Sequence, residues 1–403
     1  MWGWRLAPPP HIEMTSTQPT GARPPLWRDT RVLSVVLQLV AVAVAVAIVY
    51  VLWFNLTNNM KAAGLDTDFS FLTQPIGVNI PGSDLSSGAV IWRGLVVGIR
   101  NTLALVVVGL PLLTVLGVIV GIARLSTNWL VAKIAGIYVE LFRNLPPLLI
   151  IFFMYSAVFL RLPELEASAN PIGLFLVNNR FVAVPSFMAE AGFGLFWLIV
   201  GLGLMGAVAV WIWRTRVFDR TGEPHHRVLW ALGVLMPVVV VAYLLLGGPI
   251  GVELPMLEGR ALVSGFSGLV AYFAALIGLV LYTASHVAEI VRGSILAVPR
   301  GQTEAADAVA LTSLQRLRFV TLPQAMRIAI PPVISQYLNF TKNTTLAIAI
   351  GYAEVTRIAF QAIGNGQPAP QLVFVLMSIF LGFSLIISAV VNIVNRRLQL
   401  VTL

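Results

Sequence analysis

The 403-residue sequence contains no cysteine, which excludes a disulfide framework and a thiolate metal site. Charge is also scarce: Asp, Glu, Lys and Arg make up 11% of the chain, less than half the ~25% usual in soluble domains. Lysine occurs only at Lys61, Lys133 and Lys342, and none of them follows glycine, so the chain has no G-x-x-x-x-G-K-[ST] phosphate loop of its own. It has no H-E-x-x-H pair and no nucleophile triad, so nothing supports a membrane-embedded enzyme, and no catalytic residue is assigned. Apolar residues are abundant instead, at 58% of the chain with a mean hydropathy of +0.88. That balance describes an all-α integral membrane protein. The formal charge of +9 could suggest nucleic acid, but the basic residues sit in short loops beside apolar runs. This is the pattern of membrane topology, so no nucleic-acid partner is expected.

A bilayer-crossing helix needs about 20 mainly apolar residues. Eight segments qualify, over 32–54, 97–123, 134–160, 195–213, 228–247, 268–291, 328–351 and 372–395. An even number puts both termini on one side. Most of the 26 lysines and arginines share that side, among them Arg5, Arg23, Arg28, Arg124, Lys133, Arg214, Arg216, Arg220, Arg227, Arg300, Arg316, Arg396 and Arg397, which makes it cytoplasmic. Residues 1–31, with Trp2, Trp4, Pro8, Pro9, Pro10 and His11, read as a cytoplasmic tail and not as a signal peptide. Span 32–54 reads as a lipid-facing anchor, 55–89 as a polar external loop with Asn55, Asn58, Asn59, Asp66, Asp68 and Asp84, and 396–403 as a second tail. The domain between them, 90–395, carries an external insertion over about 161–265. Gly117 and Gly121 in the second span have the small-xxx-small spacing that lets another helix approach closely. The fourth and fifth spans look peripheral, and His225-His226 between them lacks further ligands for a metal.

Polar residues inside spans mark pathways or pairs, because charge in the bilayer core costs ~2.5 kcal/mol or more. In the third span Glu140, Arg143, Asn144 and Pro146-Pro147 interrupt the apolar run, and Glu140 and Arg143 at i, i+3 are spaced to pair. In the sixth, His286 and Glu289 share a helical face, with Arg292 or Arg143 as ion-pair partners for Glu289. The seventh carries Ser335, Gln336, Asn339, Thr341, Lys342, Asn343, Thr344 and Thr345, which must face water, substrate or another helix. Candidates for a pathway or gate are therefore Glu140, Arg143, Asn144, Glu289, Asn339, Lys342, Asn343 and Thr344. No metal site is expected.

Between the sixth and seventh spans lies a charged, helix-forming connection, about 299–327, that cannot sit in the bilayer. Pro299, Arg300 and Gly301 are expected to make the turn in, with Thr303 as N-cap and Glu304 and Asp307 in the first helical turn. Ala306, Val309 and Ala310 are expected to form a shallow apolar strip. Thr312 and Ser313 should break this helix, a second should start around Arg316 and Arg318, and Pro323 should add a bend.

This connection resembles the EAA loop of the permease subunits of ATP-binding-cassette importers. Glu304, Ala305, Ala306, Leu322 and Pro323 stand at the family's spacing, while Ala310 replaces the pattern's glycine and Val320 its isoleucine. The runs YVELFRNLPPLL, AEIVRG, LPQAMRIAIPP and SQYLNFTKNTTLAIAIGYAEV are similar to the polar amino-acid branch of these permeases, over about 89–395. The resemblance implies a type I importer permease fold with an extra N-terminal helix. It implies uptake of polar L-amino acids by alternating access in a bacterial inner membrane, with docking through Glu304, Ala305, Ala306, Ala310, Leu322 and Pro323. Implied partners are a second permease subunit in a heterodimer, two separate ATPase subunits that hold ATP and magnesium, and a periplasmic amino-acid-binding protein, all in membrane lipid. This chain would hold no cofactor itself. The competing reading is an ion-coupled secondary transporter, in which Glu140, His286, Glu289 and Lys342 would couple transport to protons or sodium.

Overall fold

The structure, a computed structural model, describes residues 30–62, 64, 68–221 and 226–398, without the side chains of residues 30, 31 and 394–398. The tails, with Arg5, Arg23, Arg28, Trp2, Trp4, Pro8, Pro9, Pro10 and His11, lie outside the described residues, as do Asp66, His225 and the side chains of Arg396 and Arg397. Residues 1–69 and 70–403 form two separate units.

In the first unit, α1 runs Thr30–Ala62. Val35, Leu37, Val46, Val49 and Leu52 are all exposed along it, as a helix solvated by lipid requires. It is longer than the sequence suggested: Asn55, Asn58 and Asn59 belong to its last turns and not to a loop. A hydrogen-bonded helix already satisfies its backbone, so polar side chains at the bilayer edge need not end it.

The second unit is built on α2 (Ile91–Ala123) and α7 (Val270–Leu296). Gly117 and Gly121 let the two approach: a Cβ on Gly117 would stand 2.6 Å from Val287 Cγ1, and one on Gly121 2.7 Å from the Ala288 carbonyl oxygen. The small-xxx-small pair therefore works, with α7 as its partner. Leu105, Leu113, Leu279, Val287 and Phe340 fill the core around this contact. Among the described residues six helices are long and apolar enough to cross a membrane, and eight segments if each of two bent pairs counts as one span.

The third span is one of those pairs. Helix α3 (Trp129–Asn144) meets α4 (Pro147–Phe153) at a bend of 106°. Leu145 and Pro146 are both extended, at ψ 139° and 135°. A residue before proline is driven out of the α region, and two successive prolines remove two donors from the ladder. After the bend Ile151 packs on Gly278, where a Cβ would meet the Ile151 Cα at 3.0 Å.

The external insertion holds structure that the sequence did not announce: strands β1 (Leu176–Val177), β2 (Phe181–Val184), β3 (Ser186–Ala189), β4 (Ile250–Glu253), β5 (Met256–Glu258), β6 (Ala261–Ser264) and β7 (Phe266–Leu269). They pair antiparallel as β1-β2-β7, β3-β4 and β5-β6. The ribbon β3-β4 leads into and out of a helical hairpin, α5 (Phe193–Thr221) and α6 (Arg227–Leu245), and β7 runs straight into α7. Across the insertion Arg260 donates from Nε and Nη2 to Glu166 Oε1, at 2.8 and 2.6 Å, which holds the Glu166 carboxyl below its usual range.

The chain closes with α10 (Leu322–Asn343), a 3-10 stretch Thr344–Ile350, α11 (Val355–Gly364) and α12 (Ala369–Leu398). The second half of the presumed polar loop before α2 is not loose. Phe71, Ile76 and Ile80 are buried with Ile358, Ala362 and Leu372 in a second core.

Candidate functional site

The connection between α7 and α10 is two short helices, and several local readings need correction. Helix α8 runs Arg300–Ala308, with Pro299 rather than Thr303 before its first residue; the Thr303 hydroxyl donates back to the Arg300 carbonyl at 2.6 Å. Arg300 and Gly301 are already helical because a proline N-cap presets an extended entry, φ −57° and ψ 136°. The expected strip is split: Ala306 is buried, but Val309 and Ala310 lie past the helix end and are exposed. Ala310 is left-handed, at φ +57°. Its amide donates to the Asp307 carbonyl at 3.0 Å and that of Leu311 to the Ala306 carbonyl at 3.2 Å, the paired bonds of a Schellman cap. The break thus falls at Ala310, before Thr312 and Ser313, and the pattern's glycine position is the left-handed residue that ends the first helix.

Thr312 then caps α9 (Ser313–Arg316) in a capping box with Gln315. The two helices are clamped by Arg316, whose Nη1 donates to both carboxylate oxygens of Asp307 at 2.6 and 2.7 Å, and α8 is tied to the start of the next long helix by a 3.1 Å bond between Gln302 and Gln324. From α9 the chain continues through wide π turns over Leu317–Thr321 into α10. Pro323 therefore adds no separate bend; it sits in the first turn of α10, where a missing amide is tolerated. Glu304 and Ala305 are exposed on the loop, beside the exposed apolar side chains Val309, Leu314 and Phe319.

Two turns before the end of α7, Glu289 is held between two arginines. Arg292 donates from Nε to Oε2 at 3.2 Å and from Nη2 to Oε1 at 2.5 Å, and Arg124, one residue past α2, closes onto Oε2 as well. Arg292 was anticipated as a partner; Arg124 was read only as a topology signal. Glu140 and Arg143, spaced to pair, do not: both are exposed in the isolated chain with no ion pair between them, and Asn144 is exposed beside them. Spacing permits that pair, but two long solvated side chains gain little from forming it. His286 packs edge-on against Tyr282, with ring centroids 4.8 Å apart. Among the described residues no three His, Asp or Glu side chains gather into a metal site.

The polar residues of α10 divide by face. Thr341 and Thr344 are buried and turned back onto their own helix, bonding the Tyr337 and Thr341 carbonyls at 2.9 and 2.7 Å. Asn343 is half-buried. Ser335, Asn339 and Lys342, at i, i+4 and i+7, form an exposed polar stripe along the second half of α10.

Beyond that stripe lies a residue the sequence reading did not single out. Glu354 is fully buried at the break between the 3-10 stretch and α11, where its oxygens accept from the Thr356 and Arg357 amides at 2.9 and 2.6 Å. The same break is tied to α2: Asn101 Nδ2 donates to the Ala353 carbonyl at 2.8 Å, the Tyr352 hydroxyl to the Asn101 carbonyl at 3.0 Å, and the Val355 amide to Thr102 Oγ1 at 3.3 Å. Its signal was an acid one residue before the α11 run, easily passed over because N-caps are usually Ser, Thr, Asp or Asn.

Comparisons with known proteins agree with this arrangement. Residues 227–400 match the family described as "Binding-protein-dependent transport system inner membrane component". The chain is 35% identical to the general L-amino acid transport system permease protein AapQ of Rhizobium johnstonii, over 93% of this chain and 94% of that one. It is 36% identical to the putative amino-acid ABC transporter permease protein YhdX of Escherichia coli, over 91% and 94% of the two chains. It is 35% identical to the glutamate/glutamine/aspartate/asparagine transport system permease protein BztB of Rhodobacter capsulatus, over 92% and 95%. With 35–36% of aligned positions identical to these proteins over more than nine-tenths of its length, the chain belongs to the permease family of amino-acid ATP-binding-cassette transport systems.

Proposed function

We propose that this chain forms one half of the membrane pathway of an importer for polar L-amino acids, working by alternating access. The observation that carries this reading is the stripe Ser335–Asn339–Lys342, exposed on a membrane helix of the isolated chain. Polar and cationic side chains are not stable against lipid, so in the assembly this face lines water, substrate or a second permease subunit. The 35% identity to general L-amino acid and glutamate/glutamine permeases supports the substrate class. ATP is hydrolysed on two separate ATPase subunits, which hold the nucleotide and magnesium, so this chain carries no cofactor and catalyses no reaction. The exposed apolar side chains around Glu304 give the EAA loop the surface to dock on them. A periplasmic binding protein delivers the amino acid to the outer face. The domain boundaries read from the sequence, the inner-membrane location and the cytoplasmic placement of both termini belong to the same reading, on the strength of the arginine-rich loops.

The test is ATPase activity of the importer reconstituted in proteoliposomes from this chain and its partner subunits, with and without binding protein loaded with each amino acid. Stimulation by loaded binding protein is expected. Uptake driven by an ion gradient through this chain alone would overturn the proposal.

A further inference from the structure

The helical hairpin α5-α6 is absent from the site described above, yet its inner end is built. Gly203 lies against Val238 and Gly206 against Val234, which fixes the antiparallel register. Continued three turns along α5, that register brings Arg214 level with Arg227 at the start of α6. Both mark the membrane edge, since each closes an uncharged run of about 20 residues, the length that crosses a bilayer.

The two arginines are exchanged across the helix pair. The guanidinium of Arg214, on α5, lies 5.3 Å from the ring centroid of Trp230 on α6, and also 5.7 Å from Trp213. That of Arg227, on α6, lies 5.1 Å from Trp211 on α5. Indole rings at the edge of an apolar span sit at headgroup depth, so the three tryptophans hold two cations there. Among the described residues neither arginine has an ion pair, and the Arg214 Nε is buried with no hydrogen-bond partner. Arg216 and Arg220 add charge about half a turn and nearly two turns further along α5, against Asp219 among the described residues and Glu223 in the sequence that links the two helices. Two guanidiniums at one level of the hairpin's register, packed on rings and not paired with carboxylates, leave a local positive charge that an anion would neutralise. Guanidinium geometry matches a phosphate with paired N–H donors.

We propose that the inner end of the α5-α6 hairpin is a binding site for the phosphodiester headgroup of an anionic phospholipid, held by Arg214 and Arg227 between Trp211, Trp213 and Trp230. The acyl chains would then lie along the exposed apolar side chains of the hairpin, where Leu204, Met205 and Val208 are uncovered. The importer would thereby carry one lipid contact outside its transport core.

The test is native mass spectrometry of the assembled importer, delipidated in mild detergent and titrated with phosphatidylglycerol, cardiolipin or phosphatidylcholine. The two anionic lipids should bind at least about tenfold more tightly than phosphatidylcholine. Arg214→Gln with Arg227→Gln should weaken that binding roughly thirtyfold, from the roughly fivefold that each basic residue contributes at an anionic surface. Trp230→Leu, which keeps both charges and the apolar volume, should give a smaller loss. Equal binding of phosphatidylcholine, or unchanged binding of the anionic lipids by the double variant, would overturn the proposal. Displacement of the lipid by excess inorganic phosphate would overturn it too, since the site would then be one for free phosphate. The wild-type lipid preference decides the question even if the double variant fails to assemble.

Discussion

Replacing Ala310 with glycine should stabilise the connection between α7 and α10. Ala310 adopts φ +57° at the end of α8, and the left-handed region costs a residue with a Cβ about 1–2 kcal/mol. Glycine removes that strain but gains conformational freedom in the open chain, which takes back about 0.4–1 kcal/mol. The methyl of Ala310 is exposed, so little packing is lost with it. The net gain is about 0.5–1 kcal/mol, or roughly a two- to fivefold smaller opening equilibrium for the turn. Hydrogen exchange read by mass spectrometry on peptides spanning 303–312 should show it at the amides of Ala310 and Leu311, which are bonded to Asp307 and Ala306. Ala310→Val, with a β-branched side chain at the same angle, should exchange faster than wild type. If Ala310→Gly exchanges at the wild-type rate or faster, the left-handed cap is not what holds the loop, and the physical account of the pattern's glycine fails with it.

Four further substitutions probe the rest. Glu304→Lys should weaken co-purification of the ATPase by at least about tenfold through like-charge or lost polar contacts, with membrane insertion intact; unchanged co-purification would remove Glu304 from the docking surface. Lys342→Leu, and separately Asn343→Leu, should cut amino-acid uptake in proteoliposomes, and wild-type rates would return both to a structural role. Gly121→Leu forces side-chain atoms against the Ala288 carbonyl and Val291, and should lower stability by about 1–3 kcal/mol, read as a lower thermal unfolding midpoint. Glu354→Ala removes the acceptor of the half-buried Thr356 and Arg357 amides, a lost cap worth about 0.5–2 kcal/mol, so its midpoint should fall further than that of Glu354→Gln, which keeps one acceptor oxygen. Equal midpoints for the two Glu354 variants would show that the cap carries no weight.

What the sequence made legible follows from which forces are local. Each span is an apolar run long enough to cross a bilayer, and no tertiary contact is needed to see one. The interruption at Pro146-Pro147 was visible for the same reason, but the 106° turn was not, because the direction of α4 depends on Ile151 reaching Gly278 on another helix. Gly117 and Gly121 announced a close approach without naming α7. The insertion's strands are two to four residues long, too short for a period-two pattern to stand out, and two of their pairings, β3-β4 and β2-β7, span the whole α5-α6 hairpin. At Glu289 an acid in a span required a cation, and spacing offered Arg292; Arg124 is far away in sequence and arrives only through helix packing. Glu140 and Arg143 show the converse: local spacing permits a pair that two solvated side chains have little reason to make.

The connection that carries the EAA pattern is stiff on one side and compliant on the other. Only Ala297–Pro299 separate α7 from α8, and α7 is fixed to α2 by the glycine contacts and by Glu289 between Arg124 and Arg292. A load on α8 therefore reaches α2 and α7 together. On the far side the chain passes through π turns at Leu317–Thr321 and then Pro331-Pro332 inside α10 before it arrives at Asn339 and Lys342. Each proline deletes a ladder bond, and π turns are poorer in hydrogen-bond geometry than α turns, so bending is cheapest along this stretch. The Asp307–Arg316 clamp makes the two short helices a single lever between these unequal arms. On the proposed docking, a pull on this connection is expected to change the angle of α10, and with it the polar stripe, more readily than it separates α2 from α7.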